Sequence, residues 1–220
     1  MNGALTHARL KTPKAAAIAG IIFSLLLFAI FWLLRRSIPA DPLERGAWLA
    51  TDTGTIAVAL NLVPFAGVAF LWFIGVLRDR LGQLEDRFFA TVFFGSGLLF
   101  LAMLFAAAAL IGSVMLVASI SEPGELTSSA TFRFARAAAF IIANVYAGKM
   151  AAVFMFSTST VVIYTSIAPR WIAYIGFLLA LTVLIGGQYI GWGLAVLPVW
   201  VLMISVYILM DNLTNVRRPT

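Results

Sequence analysis

The sequence predicts an all-α integral membrane protein: a six-transmembrane-helix bundle with long third and fourth helices and a short interfacial helix after the first. Three observations carry that expectation. The 220 residues are 62% hydrophobic and only 11% charged, against about 25% charge in an average soluble domain. So little polar surface does not cover a water-soluble fold of this size. Apolar runs of about 20 residues or more recur along the chain, the length a helix needs to cross a hydrocarbon core of about 30 Å. Finally, nearly all Lys and Arg residues stand between those runs rather than along one face, as topology signals and lipid headgroup contacts do.

The first run, residues 15–34, lies between Lys14 and Arg35-Arg36. It exceeds the signal-peptide apolar core of about 7–15 residues, so a retained spanning helix is expected. Asp41-Pro42-Leu43-Glu44 has the form of a helix start, with Asp as N-cap, Pro at the first helical position and Glu completing a capping box. With Leu43, Ala47 and Trp48 following, a short interfacial helix over residues 42–50 is expected. The second span, 55–77, contains Asn61 and Pro64, where a kink is expected. The stretch RDRLGQLEDR, residues 78–87, has the character of a solvated turn.

The third and fourth spans, 88–118 and 133–165, are each longer than the ~20 residues a crossing needs. With the Pro123-Gly124 turn signal between them, they predict an antiparallel pair that tilts or projects beyond the bilayer. From Trp171 to Met210 there is no charge, and the glycine-rich GGQYIGWG divides this length into spans at 171–186 and 192–210. The chain reads as a single transmembrane domain over residues 1–220. Six spans put both termini on one side. That side carries nine Lys and Arg residues against five opposite, so the positive-inside tendency places both termini in the cytoplasm.

Composition also narrows the chemistry. The net charge of +6 is distributed between apolar runs, so no nucleic-acid partner is expected. Cysteine is absent and His7, in the N-terminal tail, is the only histidine. These facts leave no thiolate nucleophile, no His-based metal site and no histidine haem ligand within a span. No cofactor, metal or catalytic residue is expected.

The runs MAAVFMFSTST (150–160), IAPRWIAYIGFLLAL (167–181) and WFIGVLRDRLGQLEDRFFATVFFGSGLLFLAM (72–103) resemble a pattern found in uncharacterised bacterial multi-helix membrane proteins. The three runs together make up about a quarter of the chain. The resemblance implies a helical protein of the bacterial inner (plasma) membrane and a basic residue at the position of Lys149, and carries no known activity.

Lys149 is the residue that calls for an account. It sits within NVYAGKMAAVFMF, an apolar segment long enough to span, while all nine acidic residues fall in predicted loops or at a helix end. Three readings stand: the ammonium snorkels to the interface, it bonds to neutral groups such as Asn61, or it lines a cavity for an anion, with Arg133 and Arg136 at the mouth. On a regular helix Arg133, Arg136 and Asn144 share a face, whereas Lys149 stands about 140° from Asn144. A site uniting them needs a bend, for which Gly148 is a candidate place. A Ser-Lys dyad with Ser157 in the same helix is out of reach, leaving Ser24, Ser96 or Ser113 of other helices as candidates. The Ser157–Thr160 hydroxyls are expected to bond back to helix carbonyls.

The ligand or lipid contact candidates are thus Lys149, Arg133, Arg136, Asn144 and Asn61. The leading expectation is a non-enzymatic protein acting through a bound lipid or a partner protein, with membrane lipids and a homo-oligomer or membrane-protein partner as its contacts. The alternative is a small transporter or channel in which Lys149 attracts an anionic or neutral polar solute. An intramembrane enzyme is the third reading.

Overall fold

The computed structural model describes residues 12–44, 46–81, 87–122, 124–165, 168–187 and 193–216, and all regular structure among them is helical. Five segments are long and apolar enough to cross a membrane: Ala15–Ser37, Thr53–Arg78, Thr91–Ala118, Ala130–Tyr164 and Gly193–Asp211. They mark a multi-pass membrane protein. A further apolar helix, Arg170–Gly186, has 17 residues and falls short of that length. The solvated turn expected over residues 78–87 is corrected at its edges, since one helix runs to Leu81 and the next begins at Arg87; residues 82–86 and 188–192, Pro123 and both tails lie outside the described residues.

In chain order the helices are α1 (Thr12–Ser37), α2 (Trp48–Thr51), α3 (Thr53–Leu81), α4 (Arg87–Ala118), α5 (Glu125–Ser128), α6 (Ala130–Ile141), α7 (Gly148–Thr165), α8 (Arg170–Gly186) and α9 (Val196–Val216). A π-helical turn, Ile142–Ala147, joins α6 to α7 without a break, and a 3-10 turn, Gly193–Ala195, leads into α9. Ser129 starts α6 by accepting the Phe132 N–H at 3.1 Å, the expected N-cap arrangement. α3 continues through Pro64, which is exposed on the outer surface of the bundle. Pro198 falls in the first turn of α9, where no intrahelical N–H bond is lost.

Side-chain contacts give the arrangement. Phe23 of α1 meets Phe70 of α3 at 4.5 Å between ring centroids, and Phe93 of α4 meets Phe154 of α7 at 5.1 Å. Gly67 and Ile74 of α3 lie against Phe105 and Gly97 of α4 respectively, so those helices are antiparallel. Gly176 of α8 is wedged against both Ser159 of α7 and Trp200 of α9, and Ser205 of α9 lies on Gly20 of α1. The helices therefore close a circuit in the order α1, α3, α4, α7, α8, α9, with neighbours running in opposite directions.

Aromatic rings fill the middle of that circuit. Phe70 touches Phe23, Phe100 and Phe154, and all four are 0% exposed together with Phe73 and Phe93. Several buried hydroxyls bond to their own helices, whereas the Oγ atoms of Ser37, Ser159 and Ser205 have no partner. Ser24 donates to Gly20 O, Ser96 to Val92 O, Ser157 to Val153 O and Thr158 to Phe154 O.

A second, smaller core lies at the end where α1 leads to α3. Trp48, Ile56, Val114 and Phe132 are buried there, with Leu34, Ile38, Leu126 and Ala135 packed around them. The 42–50 helix expected from sequence is corrected here: among the described residues only Trp48–Thr51 is helical. Asp41 Oδ1 instead accepts the Leu43 N–H at 2.9 Å, and the Glu44 carboxylate takes the N–H groups of Gly46 and Ala47. Gly46 has φ 83°, a left-handed conformation that interrupts any helix through it. The capping residues are thus used to build a tight strap, residues 38–52, rather than a helix.

Candidate functional site: a groove at the π turn

Lys149 stands in the first turn of α7, immediately after the π turn. Hydrogen bonds running from i to i+5 widen such a turn, so residues five apart come to lie above one another. Asn144 and Lys149 are five apart. The separation of about 140° expected of a regular helix is therefore corrected, and by the π turn rather than by a bend at Gly148. The two side chains line one shallow groove of about 50 Å³ together with Val145 and, from the last turns of α8, Val183, Leu184 and Ile185.

The polar groups of the groove are few and defined. Asn144 Nδ2 donates one hydrogen bond to Phe140 O at 3.0 Å, which fixes the amide and leaves its second N–H and its Oδ1 available. Lys149 is exposed on the outer surface of the bundle, as are Leu184 and Ile185. No acidic side chain lines the groove, so its net charge is positive. It opens sideways, away from the aromatic centre.

Its position along the bundle follows from the packing. Ser205 and Gly20 mark one level. From there α9 and its 3-10 turn climb about 20 Å to Gly193, while α1 climbs about 22 Å to Arg35. Gly193 packs directly on Gly187, so the end of α8 and the 3-10 turn meet there. Lys149, beside Val183–Ile185, sits about one turn, ~5.4 Å, short of Gly187. Beyond the π turn the 12 residues of α6 continue for about 18 Å.

The remaining candidates are placed elsewhere. Arg136 is 3% exposed and faces the strap: Nη2 donates to Pro39 O at 2.9 Å and Asp41 O at 2.6 Å, and the guanidinium lies 5.4 Å from the Trp48 ring. Its Nε and Nη1 have no partner. Arg133 is exposed, so the two arginines do not share a surface, and neither lines the groove at Lys149. Asn61 is exposed on α3 and donates to Ala57 O at 2.9 Å. Ser24, Ser96 and Ser113 each bond within their own helix, at Gly20 O, Val92 O and Ala109 O, and none lines the groove.

Two features escaped the sequence reading. The strap-holding role of Arg136 had a readable signal, since Phe132, Arg136 and Ala139 recur at helical spacing and all three are buried. The π turn had none, because IANVYA is unremarkable in composition. Comparison with protein-family models, characterised proteins and solved structures gives no match.

Proposed function

We propose that this chain is a non-enzymatic inner-membrane protein of bacteria that crosses the bilayer six times, keeps both termini in the cytoplasm and acts through lipid or a partner protein bound on its periphery. The observation that carries this reading is the direction of Lys149. Its side chain opens to the outer surface, whereas the bundle axis is occupied by Phe23, Phe70, Phe100 and Phe154. No residue of that aromatic centre lines the groove at Lys149.

The place of Lys149 beside the last turns of α8 supports the same reading, because a lysine near a helix end reaches the headgroup layer by extending its stem. Exposed apolar residues beyond the groove support a protein or lipid partner as well. Leu116 is 68% exposed, Ile120 81% and Phe134 73%, although the strap buries their neighbours Val114 and Phe132.

The transporter alternative is tested by reconstitution. Purified protein in proteoliposomes is expected to give no flux of chloride, phosphate or glutamate above protein-free vesicles. Flux abolished by Lys149→Met would overturn the reading and restore a transport role.

A further inference from the structure

Lys149 and Asn144 line one shallow groove, and an exposed apolar stripe of α8 ends there; we infer that the groove binds a single anionic phospholipid, with the phosphate on Lys149 and Asn144 and an acyl chain along α8. This inference rests on the peripheral-binding reading above and names its ligand class. Charge selects the headgroup. Lys149 supplies one positive charge and no carboxylate lines the groove, so a phosphodiester with one negative charge neutralises it. An added choline ammonium finds no carboxylate there to receive it. The free N–H of Asn144 supplies a second donor, five residues away on the same face of the π turn.

Shape selects a lipid over a free anion. Tyr174, Leu178, Leu181 and Ile185 recur at intervals of four, three and four residues, and all are exposed. They form one apolar stripe along α8 that ends at the groove, since Ile185 belongs to both. From Tyr174 to Ile185 the stripe runs about 16 Å, close to half of the ~30 Å hydrocarbon core and hence to the depth of one leaflet. A free phosphate would use Lys149 and leave this stripe unused.

The test is native mass spectrometry of the full chain released from nanodiscs containing equal amounts of phosphatidylglycerol and phosphatidylcholine. The wild type is expected to retain one phosphatidylglycerol in preference to phosphatidylcholine, in the presence or absence of millimolar inorganic phosphate. Lys149→Gln is expected to lower that retention about fivefold, the factor to which ~1 kcal/mol of charge attraction corresponds. Lys149→Arg should preserve it, and Arg133→Gln, at an exposed arginine remote from the groove, should leave it unchanged. Equal retention of both lipids by the wild type, or equal phosphatidylglycerol retention by Lys149→Gln, would overturn the site. Displacement by inorganic phosphate would overturn the lipid assignment in favour of a free anion. None of these results bears on the flux measurement, so the site and the peripheral-binding reading fail separately.

Discussion

Arg136 shows how one buried cation organises a connection. Two backbone carbonyls of the strap accept from its Nη2, and Trp48 lies under its guanidinium. Among its described residues the strap carries no regular structure before residue 48, so those carbonyls have no ladder to join. Arg136→Ala removes both hydrogen bonds and the ring contact at once. The expected loss is about 2–4 kcal/mol, from the stranded carbonyls together with the cation–π contact. Thermal unfolding in detergent would register it as a lower midpoint, and unchanged stability would show that the strap is held by Trp48 and Phe132 packing alone. Lys149 is the opposite case. It faces outward and has room to extend.

At the scale of elements, close approach is the recurring device. A Cβ on Gly176 would overlap Ser159 Oγ and the Trp200 indole, because α7, α8 and α9 converge there. Helices in lipid lack a hydrophobic driving force between them and gain most from such contact of small residues. Gly176→Ala is therefore expected to destabilise by about 1–3 kcal/mol through overpacking. Gly95→Ala is the matched control, since a Cβ there meets nothing within 4 Å. It should be neutral or stabilise by up to about 1 kcal/mol. A ranking of the two variants by thermal midpoint checks the contrast, and equal midpoints would remove Gly176 as a packing point. The π turn belongs to this scale too. Its 6 residues carry α6 into α7 as one rod while turning Lys149 to the side of Asn144.

For the molecule as a whole, the open question of topology is the role of α8. With 17 residues it spans about 25 Å, less than the ~30 Å core. Nevertheless it runs antiparallel to α7, and Gly193 returns the chain to begin α9 against Gly187. If α8 and α9 both cross, the residues of the α9 C-terminus share a side with the α3 end at Arg78. Single cysteines in this cysteine-free chain make that measurable. Leu213→Cys and Arg78→Cys are expected to react with a membrane-impermeant thiol reagent from one side, and Glu122→Cys from the other. Labelling of Leu213→Cys from the side of Glu122 would mean that only five helices cross.

The sequence by itself determined the class of this protein, because apolar run length, charge placement and the lack of cysteine are one-dimensional properties set by bilayer thickness and solvation. The long fourth helix was legible for the same reason: residues 133–165 read as one apolar stretch, and Ala130–Tyr164 is one continuous helical segment. The back-bonding of Ser157, Thr158 and Thr160 was equally local, since each hydroxyl reaches a carbonyl four residues earlier, whereas Ser159 Oγ, expected to do the same, has no partner. The tertiary structure alone decided the rest. Whether Asp41 and Glu44 cap a helix or a strap depended on the conformation of Gly46 and on Arg136, more than 90 residues away. Whether Asn144 and Lys149 share a face depended on a π turn that propensity does not encode. The wall opposite them comes from α8, brought there by packing at Gly176. Contacts made across the bundle select among local alternatives of nearly equal energy, and a single chain segment does not carry that information.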